Sequence, residues 1–291
     1  WPWVWVLGPW PHREGTVTRV FVPPAMPPAT VVAVQPATAS TDSDPAVKFL
    51  GPRVYGPDVS HWQEWVDWRR VASSPARPGM SEPMRFAFTK ATQGRRIDSR
   101  LNYNWRRMAE VGLVRGAYDF ADFSKNPILD ARFYVGAIRA AGGFRTAGDF
   151  AVLDAEGPTA LPPHAVVRWI RAWTLEVQRL TKYPQRRIVI YTGKWWWTPH
   201  AGNSTLFARA GNPLWLSGYS REPSLPGWTW SWWQYSESED VPGVSGPSDM
   251  SVWRGNVQAL RKLAGYPVPP KVVPSRTAPP RVAVAKAVAN P

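Results

Sequence analysis

The strongest constraint on the fold of this chain is a series of eight short apolar runs, most of which end in polar residues. They cover residues 53–60, 85–92, 113–120, 150–157, 187–192, 214–217, 230–235 and 250–253. Short apolar runs bounded by turn residues are typical of buried strands. Helical patterns separate the early runs, at 101–111, 128–141 and 164–180. Because strands alternate with helices there, we predict a parallel sheet or a barrel.

The last third of the series changes character. After the fifth run the spacers shorten and fill with Gly, Pro, Ser and Trp, which leaves little room for helices. We therefore predict an α/β fold, a TIM-like β/α barrel whose helices are reduced or missing after the last three strands. Proteins with this architecture carry their chemistry at the C-terminal ends of the strands. The polar residues at or near those ends are Asp58, Tyr118, Asp119, Asp154, Glu156, Tyr191 and Gln234.

Both ends of the chain differ from this central region. Residues 1–50 are rich in Pro, Ala, Val and Thr and lack sustained periodicity, so we predict a disordered leader. Residues 266–291 have a similar composition with added Lys and Arg, which predicts a basic, Pro-rich tail. The residues between them, 51–265, form the predicted barrel domain. We find no run of about 20 apolar residues of the kind that spans a membrane.

The fourth apolar run ends in two acids, Asp154 and Glu156. Side chains alternate between the faces of a strand, so these two carboxyls point the same way, about 7 Å apart along the strand. Glycoside hydrolysis needs such a pair, one acid to protonate the leaving oxygen and one carboxylate to face the developing positive charge. An isolated pair of this kind more often caps a strand, so its meaning depends on the rest of the chain.

The charge balance favours an anionic partner. The chain has 35 Lys and Arg against 21 Asp and Glu, a formal net charge of +14, and such a surface attracts polyanions. Nucleic acid and an anionic bacterial wall both fit this charge, but we find no zinc-finger, helix-turn-helix or RNP-type motif, which argues against nucleic acid. The chain has no cysteine and its four histidines are scattered. We therefore predict neither a metal ion nor another cofactor.

Tryptophan is frequent, with 19 residues in the chain. Its flat ring suits the apolar face of a sugar, although we expect most of these side chains to pack within the protein. The run Trp195-Trp196-Trp197 fits either a platform for glycan at the rim of the barrel or a structural cluster.

Several motifs follow one another in an order typical of one enzyme family. They are Asp58-Val59-Ser60-His61-Trp62-Gln63, Phe88-Thr89-Lys90-Ala91-Thr92-Gln93-Gly94, Gly116-Ala117-Tyr118-Asp119-Phe120, Leu153-Asp154-Ala155-Glu156, and Trp233-Gln234-Tyr235-Ser236 with Asp249 after it. In this order and spacing, residues 54–263 resemble glycoside hydrolase family 25, the N-acetylmuramidase lysozymes of phages and bacteria. Two positions depart from the family pattern, because its usual His is Asp119 and its usual Glu after Lys-Ala-Thr is Gln93.

The resemblance implies a set of site residues and a substrate. It implies catalytic roles for Glu156, Asp154, Asp58 and Asp249, with Glu156 as the general acid and Asp154 as its partner. It implies that the sugar groove is lined by Tyr118, Asp119, Tyr191, Trp215, Tyr219 and Gln234. The implied partner is bacterial peptidoglycan, with anionic wall polymers as a further candidate. The implied location is outside the cell, by secretion, or at the wall after delivery by a phage.

Other functions are compatible with the same sequence. The barrel would also serve as a non-catalytic module that binds wall glycan, and the changes at Asp119 and Gln93 are compatible with such a loss of activity. A basic protein that binds nucleic acid is a further alternative. Hydrolysis by a serine nucleophile is disfavoured because the chain lacks a Gly-x-Ser-x-Gly motif.

Overall fold

The computed structural model describes residues 53–76, 80–219 and 221–267. The predicted leader, residues 1–50, and nearly all of the predicted tail lie outside the described residues. Most of the barrel domain predicted for residues 51–265 lies within the described part of the chain.

Strands of this region close into a barrel. They are β1 Val54–Val59, β2 Phe86–Gln93, β3 Arg96–Ile97, β4 Val114–Phe120, β5 Asp149–Asp154, β6 Ile188–Gly193, β7 Leu214–Ser217, β8 Trp230–Asp240 and β9 Pro247–Trp253. The hydrogen-bonded order is β1-β9-β8-β7-β6-β5-β4-β2, and pairing of β1 with β2 closes the ring, while β3 forms a short hairpin with β2. The predicted α/β barrel is thereby confirmed, and each predicted run overlaps one of its strands.

One strand runs against the others. Strand β9 is antiparallel to both of its neighbours, β1 and β8, whereas the remaining pairs in the ring are parallel. An antiparallel strand can follow its partner through a short turn, without a crossover helix. The N-terminal end of β9 therefore lies at the mouth of the barrel, the end where the C-terminal ends of the other strands meet.

The helices pack outside the barrel. They are α1 Trp68–Ser73, α2 Leu101–Glu110, α3 Pro127–Ala140, α4 Pro163–Thr181, α5 Lys194–Ala201, α6 Leu206–Ala210 and α7 Val257–Leu263. Helices α2, α3 and α4 confirm the three predicted ones, and the last two begin with proline, which is preorganised for a first helical turn. Within the described residues no helix joins β7 to β8 or β8 to β9, and the one after β9 is short, as predicted.

Aromatic side chains fill the inside of the barrel. The Phe88 ring stacks on Trp215 with the ring centroids 4.3 Å apart, and Trp232 packs against both Phe88 and Phe150. Gly116 faces the same space, where a Cβ atom would lie 2.2 Å from the Phe88 ring. Because the interior is closely packed, a ligand can reach this barrel only at its two ends.

Candidate active site

Acidic side chains from three different strands gather at the mouth. Asp154 is the last residue of β5 and Glu156 follows two residues later, while Asp58 of β1 is paired in register with Asp249 of β9. Each of the four has a pKa raised by burial, and the charge of at least one other member of the group adds to the shift for Asp58, Asp154 and Glu156. The sequence predicted these four as catalytic residues, and the structure brings them together.

Glu156 has the properties of a general acid. Its side chain is only partly exposed, and burial together with repulsion from Asp249 raises its pKa to about 7, against the opposing effects of the Tyr191 hydroxyl and Lys90. A carboxyl with this pKa keeps its proton up to neutral pH, and general acid catalysis is most effective when the pKa lies near the working pH.

Asp154 lies deeper than Glu156. It is 6% exposed, and its Oδ1 atom has no hydrogen-bond partner among the described residues. Burial and repulsion from Glu156 raise the pKa of Asp154, whereas the positive charge of Lys90 lowers it. A buried carboxyl oxygen without a protein donor is unusual, so this atom has hydrogen-bonding capacity that a bound molecule can use.

Gln234 connects the other two acids to the tyrosines. Its Nε2 donates to Asp58 Oδ2 at 3.0 Å and to Asp249 Oδ2 at 3.2 Å. Its Oε1 accepts from the Tyr191 hydroxyl at 2.8 Å and from the Tyr219 hydroxyl at 3.0 Å. Both ends of the buried amide are therefore satisfied, which fixes the two aspartates relative to the two tyrosines without adding a charge.

Asp58 and Asp249 also interact with each other. Burial, then repulsion from Asp249, raises the pKa of Asp58 well above its usual range, and burial raises the pKa of Asp249 to about 6. A hydrogen bond between the two carboxyls raises the pKa of Asp58 and lowers that of Asp249. The two aspartates therefore exchange protons as a pair rather than as independent groups.

Lys90 is a component of the site that the sequence analysis did not select. It lies on β2 opposite Tyr118, with its Nζ 2.7 Å from Gln93 Oε1 and 5.1 Å from the centre of the Phe120 ring. Burial lowers its pKa, whereas attraction by Asp154 and other acids raises it. Phe86, Phe88 and Lys90 are alternate residues of β2, and the two phenylalanines fill the barrel. The sequence pattern therefore already indicated that Lys90 points inward.

The comparisons with known proteins agree with this geometry. The sequence model for "Glycosyl hydrolases family 25" matches residues 57–244. The chain belongs to this family. It is a glycoside hydrolase. An uncharacterized protein, YegX of Escherichia coli K12, is 33% identical over 211 residues, 72% of each chain.

Proteins named as lysozymes resemble this family 25 chain in sequence about as much as YegX does. Lysozyme M1 of Streptomyces globisporus is 32% identical over 233 residues, which is 76% of each chain. The crystal structure of the bacterial lysozyme from Streptomyces coelicolor matches with a TM-score of 0.65 at 30% identity, covering 74% of this chain and 98% of the other. The range matched by the family model contains Asp58, Asp154 and Glu156.

Two residues predicted to line the groove of this family 25 enzyme lie elsewhere. Asp119 is fully buried on the outer face of β4, where it accepts hydrogen bonds from Thr92 Oγ1 at 2.6 Å and Trp173 Nε1 at 2.9 Å. Trp215 is 2% exposed and packs inside the barrel. Both predictions are corrected, because strand alternation turns Asp119 away from the mouth and Trp215 lies beneath it.

The other predicted groove residues are at the mouth. Tyr118 is partly exposed on the inner face of β4, and Tyr191 is buried beside Glu156. Tyr219 is 44% exposed and reaches Gln234 from the loop after β7. All three tyrosines lie close enough to the acids at the mouth to interact with their charges.

The three consecutive tryptophans divide between surface and core. Trp195 is 65% exposed, whereas Trp196 and Trp197 are each 1% exposed. A Cβ atom on Gly193, at the end of β6, would lie 2.2 Å from Trp195 Nε1, so the indole lies directly on the glycine at the rim of the mouth. The predicted platform is thus reduced to one ring. Trp62, after β1, is a second exposed ring, at 78%.

Within the described residues, no group of three or more His, Cys, Asp or Glu side chains is arranged to hold a metal ion. In the same part of the chain, none of the helices combines the length and apolar character that a membrane crossing requires.

Proposed function

We propose that this family 25 glycoside hydrolase is a lysozyme, a peptidoglycan 1,4-β-N-acetylmuramidase. It hydrolyses the bond between N-acetylmuramic acid and N-acetylglucosamine. The observation that carries the proposal is Glu156, a carboxyl with a pKa of about 7 beside Asp154 at the mouth of the barrel. Relatives with lysozyme activity in their names support the choice of substrate.

Glu156 performs both proton transfers of the proposed reaction. It first gives its proton to the oxygen that leaves the anomeric carbon, and it then accepts a proton from the water that completes hydrolysis. Asp154 faces the positive charge that develops at the anomeric carbon. We infer net retention of configuration, which is compatible with attack by Asp154 and with attack by the N-acetyl oxygen of the substrate.

The remaining polar residues position these groups and the sugar. Asp249, which Gln234 holds together with Asp58, supplies the negative charge that helps to keep a proton on Glu156. Tyr118, Tyr191 and Tyr219 provide hydroxyls and ring faces for the sugar. We further propose that the enzyme acts on the wall from outside the cell, after secretion or phage delivery, and that anionic wall polymers attract its basic surface.

Glu156→Gln tests the proposed function. The amide keeps the shape of the side chain but has no acidic proton, so turnover on purified walls should fall by at least about 10²-fold. Mass spectrometry of the released fragments should show reducing muramic acid ends with the wild-type enzyme. Wall lysis by the variant at near wild-type rate, or release of reducing glucosamine ends, would contradict the assignment. Binding of walls without release of reducing ends would indicate a glycan-binding module instead.

Retention has a separate measurement. Proton NMR during hydrolysis of a soluble β-linked oligosaccharide detects the anomer that forms first, before mutarotation. We expect the β anomer. Initial formation of the α anomer would mean inversion, while leaving the identity of the cleaved bond unaffected.

A further inference from the structure

A cavity of about 600 Å³ lies at the end of the barrel opposite the mouth. Its wall includes Val54 at the start of β1, Val114 at the start of β4, and the side of helix α7 that carries Arg261. Asp58 lies four positions after Val54 on β1, a distance of about 13 Å at the usual rise of a strand. The packed aromatic interior lies between the two ends, so a ligand in this cavity does not compete with substrate at the mouth.

Positive charge dominates the polar lining of this cavity. Three arginines, Arg53, Arg85 and Arg261, line it together with one acid, Glu82. Glu82 approaches Arg85 Nη2 only to 3.7 Å, and its side chain is 76% exposed. At that distance and exposure an ion pair contributes little, so the lining retains a net positive charge that an anion can neutralise.

A stacking contact holds Arg261, one of the three arginines that line the cavity. The guanidinium of Arg261 lies 4.0 Å above the Tyr266 ring, a contact that uses its flat face. The N–H groups of a guanidinium lie in its plane, so stacking leaves them able to donate. Asn256 Oδ1 accepts from the Ala259 backbone N–H at 2.9 Å, which leaves the amide NH₂ of Asn256 as a further donor at the edge of the cavity.

We propose that this cavity binds the phosphate groups of a polyol-phosphate polymer attached to the bacterial wall. Guanidinium groups offer paired N–H donors that match two phosphate oxygens, and such charge-assisted bonds are among the strongest polar contacts in proteins. The apolar side chains of Val54, Val114 and Val257 suit the short carbon chain between successive phosphates. The wall as the source of the polymer rests on the proposed function, whereas the phosphate site does not.

A polyol phosphate fits this lining better than nucleic acid does. Proteins that bind single-stranded nucleic acid stack its bases on aromatic side chains. No aromatic side chain is present among the residues of the described chain that line this cavity. The arginines can bind a phosphate group of either polymer. A nucleic-acid base, however, would find no aromatic ring to stack on and would meet only aliphatic or polar side chains.

The double variant Arg85→Gln with Arg261→Gln tests this site in the full chain. The probe is a fluorescently labelled poly(glycerol phosphate) oligomer without glycan, titrated by anisotropy at fixed ionic strength. The matched control is Arg168→Gln with Arg186→Gln, which removes the same charge from two positions elsewhere on the surface. We expect the first pair to weaken binding about 10-fold, the effect of losing charge-assisted bonds worth about 1.4 kcal/mol, and the control pair to weaken it less than about 2-fold.

Further measurements make the outcome decisive. Equal weakening by both pairs would overturn the proposal, because the attraction would then reflect net charge alone. Absence of binding by the wild-type protein would also overturn it. So would stronger binding of a single-stranded DNA oligomer that depends on the same two arginines. If the double variant fails to fold by circular dichroism, Arg85→Lys with Arg261→Lys keeps the charge and should still weaken binding relative to Arg168→Lys with Arg186→Lys. Hydrolysis of phosphate-free glycan should be unchanged in every variant, and its absence in wild type would count only against the proposed function.

Discussion

The charge state of Glu156 depends mainly on its surroundings at the mouth. Burial raises its pKa first, and Asp249 adds to the increase through repulsion of like charges. In the proposed reaction Glu156 acts in its protonated form, so activity should fall as pH rises through a value of about 7. The same reasoning predicts the direction in which substitutions of neighbouring residues shift the pKa of Glu156.

Asp249→Asn should lower the pKa of Glu156. Removing a negative neighbour removes repulsion, so the carboxylate form of Glu156 becomes easier to reach. The falling alkaline limb of kcat/KM should therefore move to lower pH, by about half a unit to one unit. The measurement is the pH profile on soluble glycan, with Glu110→Gln, an exposed acid at the end of α2, as control. An alkaline limb that stays in place would show that Asp249 does not influence the acid.

Lys90→Met should have the opposite effect. The ammonium lowers the pKa values of both Asp154 and Glu156, so an apolar side chain of similar length should raise them and move the alkaline limb to higher pH. Asp154 also loses the charge that favours its ionised form, so kcat should fall by about 10-fold or more. Lys125→Met, at an exposed position, is the control. A lower kcat without any movement of the pH profile would indicate a structural rather than an electrostatic role.

At the scale of elements, the sequence predicts strands better than it predicts their directions or faces. The apolar runs identify each barrel strand, because burial on both sides requires apolar residues throughout. Nothing in the run 250–253 specifies that it is antiparallel, or that its strand extends back to Asp249, which is part of β9 and pairs with Asp58. Asp119 was misplaced for a different reason, since alternation from Tyr118 already assigned it to the outer face.

The outward Asp119 creates a buried acid pair between β4 and α3. Burial raises the pKa of Asp119 well above its usual range, and repulsion and hydrogen bonding with Asp130 add to this shift. Burial also raises the pKa of Asp130 to about 6. A carboxyl whose folded pKa is raised contributes stability at low pH that is lost as pH rises through the folded value. The pair should therefore destabilise the fold above a pH of about 6.

Asp130→Asn should relieve this destabilisation. The amide has the same shape and can still donate to Asp119, but it carries no charge to bury at neutral pH. The unfolding temperature at pH 7.5 should rise by about 2 to 4 °C, the usual effect of about 1 kcal/mol in a domain of this size, and the gain should disappear near pH 4. Thermal unfolding followed by circular dichroism at both values checks this. An equal change at both pH values would point to packing instead of ionisation.

At the scale of the whole molecule, a local group of acids lies within a basic chain. Asp58, Asp154, Glu156 and Asp249 gather at the mouth, while the chain as a whole carries a net charge of +14. This arrangement suits the proposed function, in which the enzyme approaches an anionic polymer while Glu156 keeps its proton. Composition alone favours a polyanion partner, but it could not suggest a site, because the arginines that line the cavity come from distant parts of the chain.

Salt should therefore separate attachment to walls from hydrolysis. Exposed charges are screened over about 10 Å at 0.1 M salt, so retention of the full chain on intact walls should fall steeply between about 0.05 and 0.3 M. Hydrolysis of a short, uncharged glycan depends on the buried group around Glu156, and its rate should change by less than about 2-fold over the same range. Sedimentation with walls and a reducing-end assay measure the two effects in parallel. Retention that does not respond to salt would mean that stacking on exposed rings such as Trp62 and Trp195, rather than charge, holds the enzyme on its substrate.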